Sequence, residues 1–339
     1  MKKEEIEALK ALLNTPRKIA ILGHKNPDGD ALGSTLALSL FLKKQGHDAQ
    51  VIVPNDFPDF LKWLPQAESI LVHEKDTEKA EAFLNDVDLV FTLDFNSFSR
   101  VGNLEHVLQK LTTPFVMIDH HQQPDDYAAY QYSDVTICST AQMVYHFIEF
   151  MDGIGSLDKD ITTCIYTGIV TDTGSFRFRS TTSTTHHVAA SLIDLGIDNA
   201  AIHQALFDNN STNRMQLLGA ALQNLVVLDE YKTAYITLSQ KELDKYNFQK
   251  GDTEGFVNYA LSIKNIVFAA IFIEHRAEKV IKISFRSIGD FSVNEFARNH
   301  FEGGGHNNAA GGRSNLKLND TVSHFISKLQ DYKSILSNA

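Results

Sequence analysis

The 339-residue sequence contains few cysteines and lacks long hydrophobic runs. Its two cysteines, Cys138 and Cys164, lie in apolar surroundings, which indicates buried free thiols rather than a disulfide framework. The longest apolar run, residues 266–273, is too short to cross a bilayer, and the charged amino terminus lacks the apolar core of a signal peptide. We therefore expect about two domains, a reducing cytoplasmic location and no association with membranes.

Basic residues are also scarce. The chain has 31 lysines and arginines against 42 aspartates and glutamates, and its formal net charge is −11. A protein that coats long nucleic acid needs many basic contacts with phosphates, so this charge argues against that class. A short anionic substrate remains compatible, because bound divalent cations reverse the local field of a carboxylate-rich site.

The first chemically distinctive stretch is a polar loop between a predicted buried strand at residues 18–22 and a predicted helix at residues 35–42. It carries His24, Asp28 and Asp30 at the edge where open α/β sheets bind ligands. One imidazole and two carboxylates form a ligand set suited to Mn²⁺, Mg²⁺ or Fe²⁺. A turn that only caps the following helix is the alternative explanation.

Two further predicted strands end in titratable residues. These residues are Asp94 after residues 87–93, and Asp119, His120 and His121 after residues 114–118. Strands alternating with helices predict a parallel sheet, in which the carboxyl ends of the strands meet at one edge. Asp172 follows an apolar helix at residues 161–170, where a charge requires a partner or a metal ion. A strand-end turn at Asp94 and a solvated loop after residue 118 remain alternatives.

The second half of the chain predicts another α/β block, and the intervening residues 186–226 have a helical pattern that breaks at residues 208–211. A glycine-rich segment, residues 302–312, exposes backbone N–H groups suited to binding phosphate, and His306 adds a donor. Arg286 ends a predicted strand and offers a bidentate fork for phosphate. A glycine-rich turn packed on a helix is the alternative explanation for the segment.

In chain order these features read H-x-x-x-D-x-D, a strand-end Asp, D-H-H, a further Asp, and G-G-G-H-x-x-A-A-G. This pattern resembles the DHH phosphoesterase superfamily and is most similar to its bacterial nanoRNase and pAp phosphatase branch. The resemblance implies an α/β fold, with an amino-terminal parallel-sheet domain, a smaller α/β carboxyl-terminal domain and an active site in the cleft between them. The expected bounds are 1–188 for the catalytic domain, 189–226 for a helical linker and 227–339 for the DHH-associated domain.

The resemblance also implies roles for individual residues around two divalent ions, with Mn²⁺ expected and Mg²⁺ or Fe²⁺ as alternatives. The first ion would be held by His24, Asp28 and Asp94, and the second by Asp30, Asp94, His120 and Asp172. Asp119 would orient an imidazole, and His121 would contact the scissile phosphate or protonate the leaving oxygen. The residues expected to bind the substrate are Arg100, Arg286, Gly304, Gly305 and His306.

The implied reaction is metal-assisted attack of water on very short oligoribonucleotides and on the 3′-phosphate of adenosine 3′,5′-bisphosphate (pAp). A phosphodiesterase for cyclic or linear dinucleotides is the nearest alternative, and an exopolyphosphatase or inorganic pyrophosphatase is a more distant one. A non-catalytic nucleotide-binding module would require a broken metal set, whereas every ligand position here holds a ligand residue. The oligomeric state, including a homodimer, stays open.

Overall fold

The structure is a computed structural model that describes residues 1–338. The chain divides into two compact units, Met1–Asn209 and a second that begins at Asn210. Each unit contains a six-stranded sheet. Over the described residues, no helix has the length and apolar character needed to span a bilayer.

The first unit is a parallel α/β structure. Its helices are α1 (Lys3–Leu13), α2 (Gly29–Lys44), α3 (His73–Leu84), α4 (Glu105–Leu108), α5 (Thr140–Phe150), α6 (Lys159–Asp172), α7 (Ser183–Asp194) and α8 (Asn199–Phe207). Its strands are β1 (Lys18–Leu22), β2 (Asp48–Val53), β3 (Leu71–Val72), β4 (Leu89–Leu93), β5 (Phe115–Asp119) and β6 (Tyr130–Ser133). They pair in parallel in the order β3-β2-β1-β4-β5-β6, which confirms the predicted parallel sheet.

The strand order determines where the polar loops gather. Strands β1, β4 and β5 lie side by side and are almost entirely buried, as expected for parallel strands covered on both faces. The strand order reverses between β1 and β4, which creates the crevice where such sheets bind ligands. The loops that follow β1, β4 and β5 therefore meet at this one edge. The sequence did not predict β6, because Tyr130–Ser133 has no apolar run.

Helices α2 and α6 pack closely because glycines lie at their contact. A Cβ added at Gly33 would lie 2.5 Å from the Cys164 carbonyl oxygen. A Cβ added at Gly168 would lie 2.4 Å from the Ala141 Cβ and 2.8 Å from Asp30 Oδ1. Gly168 therefore leaves space for α5 and for a carboxylate at the polar edge of the sheet.

We expect Gly168→Ala to lower the free energy of unfolding by about 1–3 kcal/mol, the usual effect of overpacking a well-packed core. The better helix propensity of alanine does not offset a contact of 2.4 Å. The measurement is urea unfolding followed by the fluorescence of Trp63, the single tryptophan, which reports on the first unit. Gly155→Ala is the matched control, since no atom lies within 4 Å of a Cβ there. Equal stability of the two variants would contradict the close-packing argument.

The second unit has a mixed sheet. Its helices are α9 (Thr212–Gln223), α10 (Gln240–Lys245), α11 (Phe256–Leu261), α12 (Val293–His300) and α13 (Leu318–Asn338). Its strands are β7 (Val226–Leu228), β8 (Thr233–Leu238), β9 (Phe268–His275), β10 (Val280–Ser287), β11 (Gly304–Gly305) and β12 (Ala309–Ser314). The order is β11-β12-β10-β9-β8-β7, and neighbours are antiparallel except for the parallel pair β8 and β9.

The segment expected to be a helical linker, residues 189–226, is divided between the two units. Leu192 of α7 and Ile202 of α8 are buried in the core of the first unit. Leu217 of α9 is buried in a core cluster of the second unit. The boundary between Asn209 and Asn210 falls within the break that the sequence predicted, and the flanking helices belong to packed cores rather than to a separate connector.

Candidate metal centre

The loop after β1 places three polar side chains at the crevice. Asp28 is the N-cap of α2, and its Oδ1 accepts the N–H groups of Asp30 and Ala31 at 3.1 Å each. Its other oxygen, Oδ2, lies 3.8 Å from His24 Nε2. Because Oδ1 caps the helix while Oδ2 faces the imidazole, capping and metal binding are compatible in this side chain.

The backbone carbonyl of the next residue orients the ring of His24. Nδ1 lies 2.9 Å from the Lys25 carbonyl oxygen, which can only accept, so Nδ1 carries the proton. Nε2 is therefore the nitrogen that faces the acidic side chains. It lies 3.3 Å from Asp94 Oδ2, to which it donates when the ring is protonated. This arrangement, in which the other ring nitrogen is hydrogen-bonded to a carbonyl, is typical of metal-binding histidines.

Asp94 lies at the centre of the cluster. It follows β4 with a φ of 63°, and its N–H donates to the Ile118 carbonyl oxygen at 3.2 Å. Its Oδ2 faces His24, whereas its Oδ1 lies 3.6 Å from His120 Nε2. The two oxygens of one carboxylate thus face different histidines, which is the arrangement that a bridging ligand requires.

A second group surrounds His120. Its Nδ1 lies 3.1 Å from the Ile137 carbonyl oxygen, so its Nε2 faces the acidic residues. Nε2 lies 3.3 Å from Asp172 Oδ2 and 3.7 Å from Asp30 Oδ2. Asp172 is the last residue of α6, and this position explains why an apolar helix ends in a carboxylate.

Asp30 is almost completely buried, with a relative exposure of 1%. Its two oxygens accept the N–H groups of Thr140 at 2.7 Å and of Ala141 at 2.8 Å, at the amino-terminal end of α5. The Thr140 hydroxyl also donates to Asp94 Oδ1 at 3.0 Å. Sequence reasoning missed Thr140, because a threonine at the start of a helix looks like an ordinary capping residue.

Asp119 and His121 form a separate pair beside this group. Asp119 is fully buried, and its Oδ1 accepts from His121 Nδ1 at 2.8 Å. Its Oδ2 accepts the backbone N–H of His121, also at 2.8 Å. These two hydrogen bonds hold the backbone and the imidazole of His121 against Asp119. Burial, assisted by the positive charge of Arg100, lowers the pKa of His121 below its ordinary value.

The electrostatics of the cluster favour a cation. Burial and the nearby charges of Asp94, Asp172 and Asp28 raise the pKa of Asp30 well above its ordinary value. Burial opposes ionisation of Asp94, but the hydrogen bond with His24 and the charges of the histidines hold its pKa far below the usual range. Carboxylate oxygens and imidazole nitrogens are donors that suit Mn²⁺, Mg²⁺ or Fe²⁺. The donor set therefore fits divalent ions, which would relieve the repulsion among these carboxylates.

The metal-free protein is expected to lose stability as the pH rises from about 6.5 to 8. Burial lowers the pKa of His24 and of His120, but their acidic neighbours outweigh it and raise both pKa values. A group with a raised folded-state pKa binds more protons when folded, so the free energy of unfolding falls as the pH rises through that range. Because the pKa of His121 is lowered, this residue changes the free energy of unfolding only at pH values below this range.

Manganese should reverse this trend, because metal binding displaces the same protons. The measurement is thermal unfolding between pH 6.5 and 8, with chelator and with excess MnCl₂. Melting temperatures that move in parallel in the two series would contradict proton displacement from these groups.

Arg100 lies beside the cluster, in a short 3₁₀ segment, Phe98–Leu104. Its carbonyl oxygen accepts the N–H of Lys25 at 2.8 Å, which ties this segment to the loop after β1. The charge of Arg100 disfavours protonation of both His24 and His121. The structure thus brings the expected phosphate-binding cation of this unit close to the candidate metal ligands.

Arg286 and His306 lie together in the second unit. Arg286 is paired with Ala309 in the β10–β12 ladder, and the His306 N–H donates to the Ala309 carbonyl oxygen at 2.7 Å. The Arg286 side chain is half-buried, and Nη1 donates to the Phe285 carbonyl oxygen at 3.0 Å.

The glycine-rich segment differs from the expected phosphate-binding loop. Gly304 and Gly305 form a strand, and the Gly305 N–H donates to Asn294 Oδ1 at 3.0 Å. That N–H is therefore not available to a phosphate, contrary to expectation. A Cβ at Gly303 would lie 2.0 Å from the Gly311 carbonyl oxygen, so close approach of two backbone segments is what requires glycine here.

Comparison with known families settles the class of this fold. Residues 18–169 match the DHH family, N-terminal domain, and residues 230–333 match the DHHA1 domain. This chain belongs to the DHH family. The membership makes this DHH chain a metal-dependent hydrolase of phosphoester bonds.

Similar proteins support the same assignment. A probable bifunctional oligoribonuclease and PAP phosphatase NrnA of Streptococcus mutans is 30% identical over 296 residues, covering 87% of this chain and 89% of that relative. The cyclic-di-AMP phosphodiesterase PdeA of Listeria monocytogenes is 26% identical over 96% of this chain, which spans 49% of that relative. The crystal structure of an exopolyphosphatase-related protein from Bacteroides fragilis is 37% identical, with a TM-score of 0.95 and coverage of 99% and 98% of the two chains.

Proposed function

We propose that this DHH protein hydrolyses very short oligoribonucleotides and removes the 3′-phosphate of pAp. The observation that carries the proposal is the clustering of His24, Asp30, Asp94, His120 and Asp172 around one edge of the parallel sheet. The substrate class rests on similarity to the Streptococcus mutans relative, which is named for both activities and matches most of both chains.

Two groups of residues would each hold one divalent ion, and we expect Mn²⁺. The first group is His24, Asp28 and Asp94, and the second is Asp30, His120, Asp172 and again Asp94. A pair of such ions would supply Lewis-acid activation of a water and of the phosphoryl group. The two oxygens of Asp94 face the two groups separately, which supports its role as the shared ligand.

His121 and Arg100 would act on the substrate itself. Asp119 accepts the Nδ1–H of His121, so the orientation of the ring is fixed and its Nε2 points away from Asp119. We propose that His121 contacts the scissile phosphate or protonates the leaving oxygen, and that Arg100 binds phosphate beside it. Arg286 and His306 of the second unit would bind a phosphate that is not cleaved.

The net charge of −11 supports a short substrate. Long single strands are held along basic grooves by many phosphate contacts, and this composition is poor in such cations. We therefore propose that the rate falls as an oligonucleotide lengthens beyond a few residues. We also propose a cytoplasmic location, supported by the two buried free thiols, Cys138 and Cys164.

A second candidate is hydrolysis of cyclic di-AMP. It is favoured by the alignment with the Listeria monocytogenes phosphodiesterase over 96% of this chain, although the chain spans only half of that protein. Both reactions would use the same metal ligands.

The test is incubation with MnCl₂ and a panel of pAp, pApA, a 24-mer RNA, cyclic di-AMP, tripolyphosphate and pyrophosphate, with products separated by chromatography. The proposal expects AMP from both pAp and pApA, and much slower turnover of the 24-mer. Preferential hydrolysis of cyclic di-AMP would support the second candidate instead. A rate that is sustained on the 24-mer would overturn the proposed length preference.

A further inference from the structure

Thr140 contacts two of the candidate metal ligands at once. It is fully buried, and its hydroxyl lies 3.0 Å from Asp94 Oδ1. Its backbone N–H lies 2.7 Å from Asp30 Oδ2. An ionised carboxylate can only accept hydrogen bonds, so the hydroxyl proton of Thr140 is directed at Asp94. The first residue of α5 therefore joins a carboxylate from α2 and a carboxylate from the loop after β4.

The contact matters because an aspartate does not determine the orientation of its own carboxylate. The torsion about the Cβ–Cγ bond is broad, so the two oxygens of Asp94 can exchange places at low energy. In the structure Oδ2 lies 3.3 Å from His24 Nε2, and Oδ1 lies 3.6 Å from His120 Nε2. The hydroxyl of Thr140 holds Oδ1 on the His120 side, and this fixes Oδ2 on the side of His24.

Capping of α5 does not explain Thr140. The N-cap is Ser139, whose hydroxyl oxygen accepts the N–H of Gln142 at 3.1 Å. The buried hydroxyl of Thr162 donates to a carbonyl oxygen one turn earlier in its own chain segment, that of Asp158, at 2.7 Å. The hydroxyl of Thr140 instead donates to the side chain of Asp94. The side-chain hydrogen bond of Thr140 therefore serves the acidic cluster rather than the helix.

We propose that Thr140 is a positioning residue of the metal centre, whose hydroxyl holds the carboxylate of Asp94 in the orientation that lets it serve both ions. This inference rests on the proposed ligand assignment, in which Asp94 is shared. Residues that orient metal ligands typically change metal affinity or activity by about 10–100-fold when they are mutated. Thr140 acts through Asp94 and does not itself contact the reacting phosphate.

The test compares Thr140→Val, which keeps the shape but removes the hydroxyl, with Thr140→Ser, which keeps the hydroxyl. Mn²⁺ binding is measured on the chelator-stripped protein without substrate, by titration calorimetry and by the electron paramagnetic resonance signal of free Mn²⁺. We expect the Mn²⁺ dissociation constant of Thr140→Val to rise about 10–100-fold, and kcat to fall with KM little changed. Thr140→Ser should stay close to the parent.

Thr162→Val is the matched control, because it removes an equally buried hydroxyl that donates to the carbonyl oxygens of Asp158 and Lys159 at the start of its own helix. It should leave Mn²⁺ affinity unchanged. Should Thr140→Val fail to fold, Thr140→Ala and Thr140→Ser make the same comparison between two small side chains. Parent-like Mn²⁺ affinity in the variants without the hydroxyl would overturn the inference, even if the stripped protein melted at a lower temperature.

The readout separates this inference from the proposed function. Mn²⁺ binding is measured without any nucleotide. If the parent protein does not hydrolyse pAp but its Mn²⁺ affinity depends on the hydroxyl of residue 140, the proposed substrate is wrong and the role of Thr140 stands. If Thr140→Val hydrolyses pAp at the parent rate and binds Mn²⁺ with the parent affinity, the role of Thr140 is wrong and the proposed substrate stands.

Discussion

Replacing Asp94 with asparagine is expected to abolish phosphoester hydrolysis while the fold is retained. The change is nearly isosteric, but it removes the negative charge of the carboxylate that we propose both ions share, whose two oxygens face His24 and His120. Lewis-acid stabilisation by bound metal amounts to several kcal/mol, and each 1.36 kcal/mol or so is a factor of ten in rate. We therefore expect kcat to fall by about three orders of magnitude or more, with a loss of bound Mn²⁺.

The measurement is turnover of pAp together with metal content by mass spectrometry after desalting. Circular dichroism establishes that the variant is folded. Asp152→Asn is a suitable control, since this carboxylate lies on the surface and pairs with Lys10. Near-normal turnover and metal content in Asp94→Asn would remove the argument for a shared carboxylate ligand.

Arg286→Ala is expected to have the next largest effect, and one that depends on the substrate. Every residue proposed above as a metal ligand lies in the first unit, so we propose that Arg286 contributes binding energy through a phosphate that is not cleaved. Hydrogen bonds to charged groups contribute about 1.5–3 kcal/mol, so kcat/KM for pAp and pApA should fall by roughly tenfold to a hundredfold. Hydrolysis of bis-p-nitrophenyl phosphate, which has no second phosphate, should be largely retained.

Two control variants sharpen this test. Lys282→Ala removes a cation from the same strand. Lys282 lies opposite Arg313 in the β10–β12 ladder and forms an ion pair with Glu278, so this variant should leave kcat/KM for pAp and pApA unchanged. Arg286→Lys keeps the charge but not the bidentate fork, and should recover only part of the activity. Equal losses on pAp and on the artificial diester would mean that Arg286 supports the fold or the chemistry, and the substrate-binding role would be wrong.

The positions of the candidate metal ligands follow from local sequence. Asp94 comes directly after an apolar strand and His24 lies two residues beyond another, and the parallel arrangement predicted by alternating strands and helices brings strand ends to one edge. The pattern is strong because buried parallel strands require continuous apolar runs, which stand out against the polar residues at their ends. Asp172 was predictable in the same way, since a charged residue ending an apolar helix needs a partner.

The glycine-rich segment shows where local sequence is insufficient. Glycine and alanine have low intrinsic preference for strands, so residues 302–312 predict a loop. The structure instead pairs Ala309–Ser314 with β10, and Gly304 and Gly305 extend that sheet. The pairing is decided by the neighbouring strand, which supplies hydrogen bonds that these residues cannot obtain from their own segment.

The contacts that orient the ligands were decided by tertiary structure alone. Thr140 is 46 positions from Asp94 and 110 positions from Asp30, and it reaches both because α5 packs with its amino-terminal end against the sheet edge. A threonine hydroxyl has no periodicity, charge or spacing that would identify its partner in the sequence. Which oxygen of Asp94 faces His24 and which faces His120 therefore depends on how α5 packs, whereas the presence of the carboxylate at that edge is already determined by the strand that precedes it.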